Sequence, residues 1–152
     1  NRIPRLAEVT ALAAEYIADT QPLINIELKG KGTAAPTARF LRTHPGLAVL
    51  VSSFNHEELA AFRETDKTTP VAPLFERARG NMLETATQLG ASCINMSTRM
   101  AKPSLIEQCR EADIPVLVYT VNQLHETQRL KAMGVAGVFT DRPDNVIPVI
   151  AR

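Results

Sequence analysis

A βα beat repeats along this chain with so little variation that it leaves few folds open. Short β-rich runs cover residues 23–29, 48–53, 71–75, 93–96, 115–121 and 137–140. Their starts lie roughly 22 to 25 residues apart, the length of one strand plus one crossover helix. Helical patterns fill the intervals at residues 33–43, 56–65, 81–89, 102–112 and 123–133, with a leading helix near 5–18 and a closing one after Pro143. The repeat is therefore six βα units, preceded by a helix with no strand of its own. Strands joined by helical crossovers run parallel, and a parallel sheet must be covered on its faces.

Two architectures meet that demand: a doubly wound open sheet and a (β/α)₈ barrel. A doubly wound nucleotide-binding sheet carries a glycine-rich turn after its first strand. Here only Gly30-Lys31-Gly32 follows the first run, which reads as a flexible βα loop, and the even spacing favours the barrel. The fold expected is thus α/β, a TIM-like (β/α)₈ barrel of which six consecutive units are present, with residues 1–152 forming its C-terminal portion. Six strands do not close an eight-stranded barrel. Scaling the chain by eight sixths gives about 200 residues, near the lower end of such barrels, and an open arc would expose two apolar edges. About two βα units are therefore expected at the amino end. The open edges also leave room for a homo-oligomer.

Local signals agree with these boundaries. Asn55 followed by Glu58 has the spacing of a capping box, in which side chains satisfy the orphaned donors of a first helical turn. Asp141-Arg142-Pro143 sets a capping side chain ahead of a proline suited to the first turn. Gly90, Gly134 and Gly137 fall where helices end and strands begin.

Within the first run, Asn25-Ile26-Glu27-Leu28-Lys29 alternates strictly, so an amide, a carboxylate and an ammonium share one face while Ile24, Ile26 and Leu28 take the other. In a barrel that polar face points inward, with Glu27 and Lys29 at the carboxyl-end rim, where such folds place their chemistry. Adjacent opposite charges there suit a divalent cation and an anionic substrate.

Charge and composition exclude several other classes. Lysine and arginine (17) nearly cancel aspartate and glutamate (16), and 5% of residues are aromatic, so neither a basic stripe nor a stacking platform points to nucleic acid. No apolar run approaches the roughly 18 residues of a membrane span, and the first residues carry no leader pattern. The expectation is a soluble, cytoplasmic protein. Cys93 and Cys109 read as reduced packing residues rather than a disulfide framework.

Several segments, in order, resemble the glycerophosphodiester phosphodiesterase family across essentially the whole chain. Ile3-Pro4-Arg5-Leu6-Ala7-Glu8-Val9 is similar to its I-P-x-L-x-E-V helix start, Ile26-Glu27-Leu28-Lys29 to its I-E-I-K strand, and Ser52-Ser53-Phe54 to its S-S-F. Val118-Tyr119-Thr120-Val121-Asn122 looks like V-W-T-V-N, and Met133-Gly134-Val135-Ala136-Gly137-Val138-Phe139-Thr140-Asp141-Arg142-Pro143 like M-G-V-D-G-I-F-T-D-x-P. The resemblance implies a metal-dependent hydrolase of lipid and glycerol metabolism that cleaves glycerophosphodiesters to glycerol 3-phosphate and an alcohol, using Ca²⁺ or Mg²⁺. It implies Glu27 as a metal ligand and Lys29 as the residue that contacts the phosphate and acts in catalysis. It sets Asn122, Phe54 and Tyr119 beside the substrate, with Tyr119 standing where the family commonly has tryptophan.

The family's H-R-G, E-x-D and H-D elements are absent from these residues. One carboxylate does not hold a cation that takes about six to eight oxygens, and lack of the acid and base costs about two to four orders of magnitude in rate. The chain by itself is expected to be inactive, while the intact protein is an enzyme. The remaining histidines offer no replacement: His44 falls in an αβ loop, His125 in a helix, and His56 in a helix's first turn. Asp141 reads as a cap, Arg99 as a solvated cation, and Ser53 and Lys102 lie near strand ends without a firm role. The alternative is a non-catalytic phosphoester-binding or interaction module built from an incomplete barrel. A sugar-phosphate isomerase or aldolase on the same barrel is weaker, since no Schiff-base lysine context stands out.

Overall fold

A computed structural model describes residues 2–17, 23–78 and 80–150, with side chains described except at 14–17 and 149–150. The elements follow the repeat: α1 (Leu6–Ile17), β1 (Ile24–Glu27), α2 (Ala34–Arg42), β2 (Val49–Ser53), α3 (His56–Thr65), β3 (Val71–Phe75), α4 (Met82–Leu89), β4 (Ile94–Ser97), α5 (Pro103–Glu111), β5 (Val116–Tyr119), α6 (Leu124–Ala132), β6 (Gly137–Val138) and α7 (Pro143–Ile150). All six strands are parallel and stand in sequence order in one sheet, the arrangement of a partial TIM barrel. The expected leading helix extended to Ala18, which lies outside the described residues.

Strand parity assigns the two faces. On the outer face, Val51 and Val71 pack against Leu59 and Phe62 of α3, while Ile94, Met96, Val116 and Val118 meet Ile106 of α5 and Leu130 of α6. These faces hold most of the buried apolar surface. The inner face is narrower: Leu50, Ala72 and Cys93 pack together with Leu117 as a small apolar floor. Gly137 opposes Leu117 in register, and a Cβ there would lie 3.0 Å from the Leu117 side chain, so any larger residue would press on that side chain. Gly90 ends α4 in the left-handed conformation at φ 56°, as an αβ loop requires.

Two local expectations need correction. Asn55 does cap α3, its side chain accepting from the Glu57 amide at 3.1 Å, but the second half of the capping box is not formed. The Glu58 carboxylate turns away to the loop before α2, and the Asn55 amide donates to Ser53 Oγ instead. Pro143 opens α7 as its first residue, yet the Asp141 carboxylate does not cap it: it accepts from Asn122 Nδ2 at 3.1 Å, and Thr140 Oγ1 takes the Arg142 amide. In both cases a longer-range partner outcompetes the local one.

Phe62 is the largest wholly buried side chain among the described residues and fixes α3 to the outer face. Phe62→Ala is expected to lower stability by about 3–5 kcal/mol. Urea denaturation measures this directly, and a loss under about 1 kcal/mol would mean that α3 is not anchored through this ring.

Candidate functional site

Register carries the polar residues of several strands to one end of one face. Glu27 stands opposite Ser52, Ser52 opposite Ala72, Leu74 opposite Asn95, Asn95 opposite Leu117 and Ser97 opposite Tyr119. Residues paired across a parallel sheet share a face, so Glu27, Ser52, Asn95, Ser97 and Tyr119 all look inward above the apolar floor. Lys29, Phe54 and Glu76 extend the same parity past the carboxyl ends of β1, β2 and β3.

At the rim, Lys29 Nζ donates to Glu27 Oε1 at 2.8 Å, with the lysine side chain 76% exposed and the glutamate 26%. An ion pair this open contributes little to stability, so its value lies in what it can meet. Backbone bonds hold it in place: the Leu28 amide donates to the Ser52 carbonyl at 2.7 Å, and Ser53 Oγ donates to the Leu28 carbonyl at 2.6 Å. Ser53 thus ties β2 to β1 between the two charged residues.

The loop that follows Lys29 is anchored by Glu58. Its carboxylate accepts from the Gly32 amide at 2.6 Å and the Ala34 amide at 3.0 Å, capping α2 from another helix where Thr33 supplies no side-chain cap. These amide bonds, the one from Gly32 foremost, hold the Glu58 carboxyl below its ordinary value of 4.5. The side chain missing from the expected capping box is therefore what fixes the loop beside the rim.

An aromatic wall flanks the pair. Tyr119 packs edge-to-face with Phe54 at 5.9 Å and with Phe139 at 6.5 Å, and its peptide bond to Thr120 is cis. Burial chiefly, then the charges of Glu76 and Glu27, raise the Tyr119 hydroxyl well above its ordinary value, so it stays a neutral donor. Tyr119 Oη, Ser52 Oγ and Asn95 Nδ2 are buried with no hydrogen-bond partner among the described residues, and all three belong to the inner face. They are available to a ligand or to groups that complete the inner surface.

The other expected residues are placed as follows. Asn122 is committed to its neighbours: Oδ1 accepts from the Asp141 amide at 2.8 Å and Thr140 Oγ1 at 3.1 Å, while Nδ2 donates to Asp141. It fixes the loop after β6. His56 lies 3.1 Å from the Leu74 carbonyl through Nε2 and packs on Phe75 at 4.8 Å. His44 stacks on Phe40 and lines a cavity of about 510 Å³ with Arg42, Pro45 and Thr69, at the opposite end of the sheet. His125 is exposed on α6. Arg99 is not merely solvated: it pairs with Glu76 at 3.4 Å. Both cysteines are buried and free, and burial pushes the Cys93 thiol up to about 11.

Among the described residues, no group of three or more histidine, cysteine, aspartate or glutamate side chains is placed to hold a metal ion. Glu27 is a single carboxylate already paired with Lys29. The donor set of the described residues does not complete a divalent-cation site.

Sequence reading missed Glu76, Ser52 and Asn95. The signal for Glu76 is present, since the parity of Ala72 and Leu74 continues to it. Ser52 and Asn95 sit in strands buried on both faces, where alternation is blurred by apolar residues on either side.

Residues 16–145 match the model of the glycerophosphoryl diester phosphodiesterase family. A glycerophosphodiester phosphodiesterase of Caldanaerobacter subterraneus subsp. tengcongensis is 25% identical over 157 residues, an alignment covering 99% of this chain and 63% of the relative. A solved phosphodiesterase of Oleispira antarctica, in complex with the product sn-glycerol-3-phosphate, superposes with a TM-score of 0.82 at 22% identity, over 92% of this chain and 60% of its own. A glycerophosphodiester phosphodiesterase of Agrobacterium tumefaciens gives 0.72 at 22% identity, over 97% and 62%. These structural likenesses carry the fold. The chain spans less than two thirds of the length of each of these relatives.

Glu58 generates a pH-dependent expectation. Its carboxyl is lowered in the folded state, so its contribution is complete above the ordinary value of 4.5 and disappears as pH falls through the folded value. Glu58→Gln is therefore expected to be less stable than the parent at pH about 7, with the difference shrinking toward pH about 3. Chemical denaturation at the two pH values checks this, and a constant difference would remove the charge from the explanation.

Proposed function

The chain belongs to the glycerophosphoryl diester phosphodiesterase family, and on that premise we propose that it forms the phosphate-binding rim of a barrel that hydrolyses glycerophosphodiesters to glycerol 3-phosphate and an alcohol. The observation that carries this reading is the Lys29–Glu27 pair at the carboxyl-end rim, beside the Tyr119–Phe54 wall. In the reaction a phosphorus–oxygen bond to the alcohol breaks, water supplies the new oxygen, and the departing alkoxide gains a proton. The exposed Lys29 ammonium binds the phosphate and steadies the negative charge that grows on its non-bridging oxygens. Tyr119 Oη, held protonated, donates to the same anion, while the Phe54 and Tyr119 rings flank the glycerol and exclude water on that side. Asn122 acts through the loop it braces.

A divalent cation, Ca²⁺ or Mg²⁺, belongs to this reading as a Lewis acid on the phosphate, with Glu27 giving it one carboxylate. The described residues do not complete its site. Nor does any of the three histidines bond to Glu27 or Lys29. We accordingly expect these 152 residues alone to be inactive, since lack of an acid and a base by itself costs about two to four orders of magnitude in rate. The two buried, unpaired cysteines support a cytoplasmic setting.

The lack of a three-ligand group among the described residues favours a second reading, a non-catalytic module that binds phosphoesters without cleaving them. Assay of the protein as encoded with glycerophosphocholine, with and without chelator, separates the two. Chelator-sensitive release of glycerol 3-phosphate supports the enzyme, and binding without release under any divalent cation contradicts it. Glu27→Ala is expected to abolish the chelator-sensitive turnover. Lys29→Ala is expected to lower kcat/KM by about 10²-fold, and parental rates in either variant would overturn the assignment.

A further inference from the structure

We propose that the rim carries a second anion subsite, formed by Arg77, Arg99 and Lys102 around Glu76, which receives a further phosphate borne by the alcohol half of the diester. The inference rests on Glu27 and Lys29 being the phosphodiester site and extends it to the leaving group.

A cavity of about 280 Å³ lies between the loops that follow β3 and β4, and these four side chains line it. A neighbouring cavity of about 510 Å³ shares Glu76 and Arg77 and reaches Phe54. Phe54 meets the Tyr119 ring, and Tyr119 in turn feels the charges of both Glu27 and Glu76. The Lys29–Glu27 pair, the Tyr119–Phe54 wall and the Glu76–Arg77 segment therefore follow one another along the carboxyl-end rim. The sheet sets the separation: the cluster follows β3 and β4, two and three strands from β1, roughly 10–15 Å away. That span suits two phosphates joined through a small polyol.

The charge balance selects the ligand. Among the described residues three cations line the cavity with one carboxylate, and the Arg99–Glu76 contact is long at 3.4 Å with both side chains well exposed, so it neutralises little. The side chains of Arg77 and Lys102 have no hydrogen-bond or ion-pair partner among the described residues. Lys102 also precedes a helix whose first residue is Pro103 and whose first turn has no side-chain cap, which adds positive potential at the same place. Ser97 Oγ holds the Glu76 carbonyl at 3.0 Å and so fixes the loop that presents Arg77. Aromatic rings beside a carboxylate would by themselves suit a quaternary ammonium, but here the carboxylate is outnumbered and partly engaged. Guanidinium groups favour phosphate.

The test uses the protein as encoded and three diesters: glycerophosphoinositol, glycerophosphoinositol 4-phosphate and glycerophosphocholine. We expect the highest kcat/KM for the 4-phosphate, and a ratio over glycerophosphoinositol that falls about tenfold in Arg77→Ala/Arg99→Ala and narrows with added salt. These side chains are exposed, so folding is not at stake; circular dichroism of the variant confirms it. Equal rates on the two inositol diesters, a preference for the choline diester, or an equal loss on all three in the variant would overturn the subsite while leaving the phosphodiesterase reading intact. Failure to cleave any of the three would overturn both.

Discussion

Everything at the rim depends on the register of a parallel sheet. Side chains alternate with period two, so a slip of one residue in any strand exchanges its inner and outer sets. The outer parity of β2 to β5 is fixed by burial: Val51, Val71, Ile94, Met96 and Val118 are wholly excluded from water against α3, α5 and α6. Moving any of them inward would remove that packing, which makes the alternative registers costly. The inner parity is then determined without further choice. It gathers Glu27, Ser52, Asn95, Ser97 and Tyr119 on one face, and Lys29, Phe54 and Glu76 beyond the strand ends.

Stability and chemistry are thus divided between the two faces of one sheet. The outer face binds the helices, and the inner face has only a small apolar floor beneath a polar layer. A buried hydroxyl or amide without a partner costs about 1–3 kcal/mol, a cost the outer packing offsets. Loops at the rim are braced rather than packed: Glu58 holds the segment after Lys29, Ser53 clasps the end of β1, and Asn122 fixes the turn after β6. Such bracing orients charged side chains while leaving them open to solvent, as Lys29 is.

Much of this was legible in the sequence, for a physical reason. The βα period is set by chain geometry, and each expected strand and helix is found within a few residues, α3 and β3 at the expected ends. The alternation of Asn25, Glu27 and Lys29 was readable because β1 is half buried and its faces differ. Ser52 and Asn95 were hidden because their strands are buried on both sides. Glu58 and Asp141 were misread because local caps and distant partners compete for the same carboxylates, and only the folded chain brings the distant ones near. The Arg99–Glu76 pairing joins two loops and has no sequence signature.

Under the proposed function, the Lys29–Glu27 pair marks where the phosphate sits. A crystal structure of the protein as encoded with sn-glycerol 3-phosphate tests it most directly. A phosphate oxygen is expected within about 3 Å of Lys29 Nζ, with the glycerol against the Phe54 and Tyr119 rings. A phosphate bound instead at the opposite end of the sheet, in the cavity lined by Arg42 and His44, would contradict it.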